Sequence, residues 1–311
     1  MAVSDVFSVA GKTTLITGAS YGLGEQFALA LAEAGSDLVL TARSAELLEA
    51  VAEACRGFGR KVTAVTGDVS NEDDVRRVVA AGVAEHGSID VLVNNAGISD
   101  LRGLDAENYD TETFKKIIDV DLIGAFLVAR ETGRHMLEQG KGSIINISSI
   151  MASGGNELSV IAYTAAKGGL RNMTLQLGCE WADRGVRVNT ISPGFVVTDM
   201  IRPAIEAGGV GDYIASRTPM RRLCEVGELI GPLLFLASDA SSYVTGVDLL
   251  VDGGTNAANG YYQIEPGHHF SSQVLAPAVG TKYPGLQPMP DEMQVWKLGI
   301  PGIHFELPAD S

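Results

Sequence analysis

Tyr163 and Lys167 stand four residues apart in Tyr163-Thr164-Ala165-Ala166-Lys167, a spacing that puts both on one face of a helix. A free phenol, with a pKa near ~10, is a poor base at neutral pH. An ammonium beside it favours the phenolate, and such a group can give a proton to a carbonyl oxygen or take one from an alcohol. Ser149 follows the apolar run Ser143–Ile147, where its hydroxyl can bond a substrate oxygen and help fix the reacting carbon. Ser149 is chosen over Ser148, which would face the opposite side of a strand end. Taken singly, a tyrosine four before a lysine is usually an ordinary helix face, and a serine pair is usually a strand end.

A second cluster is built to meet phosphate. Thr17-Gly18-Ala19-Ser20-Tyr21-Gly22-Leu23-Gly24 lies between an apolar run and a helical pattern over Gln26–Ala34. Gly18 permits the tight turn, Gly22 lets backbone approach a pyrophosphate, and Gly24 lets helix and strand pack closely. The helix's first amides then face the phosphate charge. The run Asp37–Ala42 ends without an acid, and Arg43 follows. An acid would accept from a ribose 2′-hydroxyl, whereas a guanidinium pairs a 2′-phosphate, which favours NADP(H) and leaves NAD(H) open. Arg43 also reads as a solvated helix-start residue. Asp68 suits a bond to adenine or, with Ser70 and Asn71, a helix cap.

These groups need a frame that brings distant strand ends together. Thr13–Thr17, Asp37–Ala42, Val62–Thr66, Ile89–Val93, Ser143–Ile147, Val186–Ile191 and Val247–Val251 are short runs rich in Val, Ile and Leu, as strands buried on both faces are. Helical stripes such as Leu47, Leu48, Val51 and Cys55 separate them. The pattern predicts an α/β fold with a seven-stranded, doubly wound parallel sheet. The chain has 311 residues, 46% hydrophobic and 20% charged, with net charge −15. That excludes whole-chain disorder and argues against nucleic acid or a membrane surface as partner. No run approaches the ~18 apolar residues of a spanning helix, and the N-terminal stretch has no signal-peptide pattern. Cys55, Cys179 and Cys224 lie far apart and read as buried small hydrophobes in a reducing compartment; no metal site is expected.

The motifs Gly18/Gly22/Gly24, Asn94-Asn95-Ala96-Gly97, Ser148-Ser149, Tyr163…Lys167 and Pro193-Gly194 occur in the order seen in short-chain dehydrogenase/reductases, and the chain resembles that family over residues 6–254. The resemblance implies a Rossmann-type sheet, a nicotinamide cofactor and a homo-oligomer, a tetramer or dimer, while the cysteine usage and the N-terminal stretch point to the cytoplasm. It implies Ser149, Tyr163 and Lys167 as the catalytic group, with Lys167 also on the cofactor ribose. It extends the cofactor contacts from Gly18, Ser20, Tyr21, Gly22, Leu23 and Gly24 to Arg43, Asp68 and Val69. Further contacts fall on Asn95, Ala96 and Gly97, and on Pro193, Gly194, Val196 and Thr198. Asn95 serves equally well as a turn former. The family commonly carries asparagine where this chain has Asp121, in Val120-Asp121-Leu122-Ile123-Gly124. Asp121 joins the catalytic group as an ion-pair partner of Lys167, or as a protonated acid if buried.

Phe195–Leu223 reads as a flap, with Gly208, Gly209 and Gly211 as hinges and Met200, Ile201, Ile205, Tyr213 and Ile214 as apolar cover. Met151, Asn156, Leu158 and Val160 face it from the loop before Tyr163. A domain over residues 1–255 and an extension over 256–311 are expected. The extension holds seven of the eleven prolines yet carries Tyr261, Phe270, Trp296 and Phe305, as an arm packing on the body or a neighbouring subunit would. Helix Gly168–Trp181 and segment Val244–Val251 are candidate subunit contacts. The expected activity is hydride transfer between a nicotinamide cofactor and a small carbonyl or secondary alcohol. Alternatives are a cofactor-binding sensor without turnover, or a dehydratase, epimerase or cyclase on the same scaffold.

Overall fold

The structure is a computed structural model that describes residues 3–100, 104–155, 160–198, 202, 205 and 210–258. After a one-turn helix α1 (Val3–Val6) the chain alternates strand and helix: β1 (Thr13–Thr17), α2 (Gly22–Glu33), β2 (Asp37–Ala42), α3 (Ala45–Arg56), β3 (Val62–Thr66), α4 (Glu72–His86) and β4 (Val91–Asn94). Then come α5 (Thr111–Ile118), a π-helical turn (Asp119–Gly124), α6 (Ala125–Gln139), β5 (Gly142–Ile147), α7 (Ile161–Trp181) and β6 (Val186–Pro193). The chain continues through β7 (Val196–Val197), α8 (Val210–Arg217), β8 (Cys224–Glu225), α9 (Ile230–Ala237) and β9 (Asp248–Val251).

Seven strands form one sheet in the order β3-β2-β1-β4-β5-β6-β9, and every pairing is parallel. The expected seven strands are all present, with ends shifted by one or two residues. The ribbon β7-β8 pairs Val196 with Cys224 and lies outside that expectation. Side chains alternate between two cores, which is why the strands carry apolar residues on both faces. Ile16, Leu38, Leu40, Val93 and Ile145 pack with Phe27, Leu31, Val51, Leu233 and Leu236 on one face. Leu15, Val39, Leu92, Ile144 and Val188 pack with Val79, Met136, Leu177 and Trp181 on the other.

The chain winds outward from β1 to β3, then returns to place β4 on the other side of β1. In an open parallel sheet that reversal leaves a crevice at the carboxyl ends of the two strands. The glycine turn leaves β1 there and Asn95 leaves β4 there. The extension lies outside the described residues from 259 onward, so its expected packing falls outside them too. Gly208, Gly209, Met200, Ile201, Asn156 and Leu158 also lie outside. Gly211 lies in the first turn of α8, where a β-carbon on it would lie 3.0 Å from Ile205 Cγ2. Cys55 is buried, but Cys179 is exposed and Cys224 half-buried, which corrects the expectation of three buried thiols.

Candidate active site

The crevice opens into a cavity of about 660 Å³, within the usual range for a small-molecule site. One end is lined by Gly18, Ser20, Tyr21, Gly22 and Leu23, with Arg43, Asp68 and Val69 beside them. The middle is lined by Asn95, Ala96 and Gly97. The other end holds Ser149, Tyr163 and Lys167, with Pro193, Gly194, Val196 and Thr198. Of the site residues expected from sequence, Gly24 and Asp121 are absent from the wall, because each supports it from behind.

Gly24 is where α2 presses on the turn. A β-carbon on it would stand 2.1 Å from Gly18 O and 2.7 Å from Asn95 Nδ2. Gly18 and Gly22 both take positive φ, +66° and +64°, and Gly22 has open space where a β-carbon would go. Helix α2 starts at Gly22 with no side-chain cap, so its first amides are left for a ligand. Bare amides, a backbone cradle and a cavity of this size fit a dinucleotide phosphate. Arg43 is exposed at the rim and has no ion-pair partner among the described residues.

Asn95 is a turn clamp. Its amide Nδ2 donates to Thr17 O at 3.0 Å and to Gly18 O at 3.3 Å. Thr17 Oγ1 in turn accepts from the Asn95 and Ala96 backbone amides, both at 3.0 Å. Asp68 accepts from the Ser70 amide and hydroxyl at 2.9 and 2.7 Å, while Asn71 caps α4 by accepting from the Asp73 and Asp74 amides. The cap is therefore Asn71, which leaves Asp68 on the cavity wall.

At the reacting end, Ser149 starts the short turn Ile150–Ser153, and its hydroxyl accepts from the Met151 amide at 3.2 Å. Ser148 also lines the cavity; its hydroxyl donates to Lys167 O at 3.2 Å, and the residue is 4% exposed. Tyr163 is half-buried, and Lys167 Nζ lies 5.4 Å from the centre of its ring. Lys167 Nζ also donates to Ile147 O at 3.1 Å and pairs with Asp121 Oδ2 at 3.3 Å. Asp121 is wholly buried, and its Oδ1 accepts from the Ile98 amide at 2.7 Å. Burial pushes the Asp121 carboxyl above the usual carboxylate range, and the Lys167 charge pulls it partly back. Burial alone would draw the Lys167 ammonium down, but the charges of Asp121 and Tyr163 more than offset it and hold the group above its ordinary value.

A chain of buried polar side chains joins the two ends, and sequence reading did not find it. Thr17 Oγ1 donates to Asn94 Oδ1 at 3.4 Å, Asn94 Nδ2 to Asn146 Oδ1 at 3.2 Å, and Asn146 Nδ2 to Thr174 Oγ1 at 2.8 Å. Thr190 Oγ1 completes it by donating to Thr174 Oγ1 at 2.9 Å. It crosses β1, β4, β5 and β6 and ends on α7, the helix that carries Tyr163 and Lys167. The only available signal is an amide inside each of two apolar runs.

A family profile described as enoyl-(acyl carrier protein) reductase matches residues 18–256. Gluconate 5-dehydrogenase of Gluconobacter oxydans is 35% identical over 257 residues, 82% of this chain and 98% of that one. Cis-4-hydroxycyclohexanecarboxylate dehydrogenase of Sinomonas cyclohexanicum is 38% identical over 248 residues, 80% of this chain and 98% of that one. The crystal structure of a gluconate 5-dehydrogenase from Burkholderia cenocepacia in complex with NADP and tartrate superposes with a TM-score of 0.78. That match is 35% identical and covers 83% of this chain and all of the other. The chain belongs to the short-chain dehydrogenase/reductase family, a class of NAD(P)-dependent oxidoreductases.

Proposed function

We propose that this enzyme moves a hydride between NADP(H) and a secondary alcohol or ketone on a small hydroxy acid or ring compound. One observation carries the reading: Ser149, Tyr163 and Lys167 line the same cavity as the glycine turn and Arg43. A bound nicotinamide dinucleotide supplies or accepts the hydride. In reduction the Tyr163 hydroxyl gives its proton to the carbonyl oxygen and becomes the phenolate; in oxidation the phenolate takes the alcohol's proton and becomes the hydroxyl again. The Lys167 ammonium steadies the negative charge that develops on the phenol oxygen. The Ser149 hydroxyl bonds the same substrate oxygen and fixes the reacting carbon. Gly18 and Gly22 with the free amides of α2 hold the pyrophosphate, and Arg43 pairs the 2′-phosphate.

Ile98, Ile150, Met151, Val160 and Phe195 make the substrate end largely apolar, with Ser99, Ser149 and Thr198 as polar points. The named relatives act on a sugar acid and a cyclohexane hydroxy acid, and this lining suits a compact hydroxy acid of that size. We place the enzyme in the cytoplasm as a homo-oligomer. No helix among the described residues is long and apolar enough to cross a membrane. On α7, Leu170 and Leu177 are buried inside the subunit, while Met173 and Leu175 are half-buried. Exposed apolar groups stand at Ile161 on α7, at Ile123 and Phe126, and at Tyr243, Val247 and Leu250, and these are the surfaces offered to a second copy.

Reduced-nicotinamide absorbance, followed with a panel of hydroxy acids, polyols and their ketones, tests the activity. Turnover with NADP(H) that Tyr163→Phe lowers at least ~100-fold supports it. Cofactor binding without turnover on any panel member makes the protein a sensor instead.

A further inference from the structure

Lys167 is a buried cation that faces one buried anion. The side chains of Lys167 and Asp121 are 5% and 0% exposed, and Nζ and Oδ2 stand 3.3 Å apart. Oδ2 takes no hydrogen bond, while Oδ1 is fixed by the Ile98 amide at 2.7 Å. The π-helical turn Asp119–Gly124 gives the chain an extra residue per turn there, a distortion typical of functional sites. Gly97 keeps the space: a β-carbon on it would lie 2.9 Å from Asp121 Oδ2 and 3.2 Å from Lys167 Nζ. Three separate features, the turn, the amide and the glycine, thus serve one carboxylate.

We propose that Asp121 is a positioning residue, the fixed counter-ion that keeps Lys167 charged and in place, and so extends the reaction's working range towards alkaline pH. The proposal rests on the reading of Tyr163 and Lys167 as the proton-handling pair. On α7 the half-buried Tyr163, its ring centre 5.4 Å from Nζ, adds negative charge only when its phenol is deprotonated, and the other charges near α7 do not fill the role. Glu112, Lys115 and Lys116 on α5 and Asp119 on the π-turn are exposed to solvent. The Ile150–Ser153 turn and β5 carry no titratable side chain. On β6, Arg187 donates to the Leu236 and Ser238 carbonyls. On α7 itself, Arg171 pairs with Asp248, and Asp183 and Arg184 just beyond the helix are exposed.

The sign follows from the two opposing causes. Burial favours the neutral amine and the carboxylate favours the ammonium. Without the carboxylate only the Tyr163 charge still opposes burial, so the proton leaves at lower pH. Asp121→Asn, which keeps shape and removes charge, tests this. With each profile normalised to its own neutral-pH value, the alkaline limb of kcat/KM should move down by about one pH unit or more. Competitive acetylation of the cofactor-free protein, read by peptide mass spectrometry, should show Lys167 becoming reactive at correspondingly lower pH. An unmoved limb together with unmoved acetylation overturns the proposal, as does a uniform loss of rate at every pH with unmoved acetylation. Should the wild type turn over no panel substrate, the activity reading fails, and the acetylation titration still decides the ion pair.

Discussion

At the end of β1 the cavity wall is backbone: the turn works through space, glycine dihedrals and unspent amides. At the end of β5 the wall is side chains, and what matters is charge: one phenol, one ammonium and one buried carboxylate. The first kind of site is indifferent to pH but intolerant of a methyl group where backbones meet, as at Gly24. The second tolerates shape-conserving exchanges but answers to every unit of charge. A protein that holds a large anionic ligand and moves one proton needs both, and the Thr17–Asn94–Asn146–Thr174 chain ties them into one sheet.

The largest effect expected at the backbone end is from Gly24→Ala. Its new carbon would stand 2.1 Å from Gly18 O and 2.8 Å from Gly18 C, both backbone atoms that cannot swing away. The turn must open, at an overpacking cost of about 3 kcal/mol. Thermal unfolding should fall by roughly 6–12 °C, and fluorescence titration should show NADPH binding at least ~10-fold weaker. A variant that unfolds and binds as the wild type does would show that the helix does not need to press on the turn.

Arg43→Ala is expected to act next, and only on affinity. The guanidinium is exposed and unpaired among the described residues, so its loss costs the fold nothing measurable. A charge-assisted bond to a 2′-phosphate is worth about 1.5–3 kcal/mol, so KM for NADPH should rise roughly 10–100-fold while KM for NADH stays level. Equal changes for both cofactors would remove Arg43 from the 2′-phosphate and return it to the role of a solvated residue.

Much of this was legible in the chain itself, and the reasons differ by region. Strands such as Thr13–Thr17 and Val186–Pro193 show because both faces are buried and β-branched residues recur on them. Tyr163 and Lys167 show because helical spacing is local. Asn146 and Thr174 did not show as partners, because their bond depends on which strand lies beside which. The π-turn also leaves no compositional mark: one extra residue in a helix looks like helix. Ribbon β7-β8 is too short, at two residues a strand, to carry any periodicity. Asp121 was visible as a departure from the family pattern, but its burial and its glycine-kept space were not.

Gly22→Ala gives the smallest effect and the sharpest contrast with Gly24. Both are glycines of one turn, yet only one is crowded. Gly22 sits at φ +64° with nothing within 4 Å of a β-carbon position, so alanine there meets no clash and bears only the left-handed backbone cost. That cost is about 1–2 kcal/mol, or roughly 3–6 °C in thermal unfolding. Because the added methyl faces open space beside the uncapped start of α2, the loss should appear in the cofactor-free protein and should deepen when NADPH is present. An unfolding loss equal to that of Gly24→Ala would mean that dihedral freedom, rather than close approach, governs the whole turn.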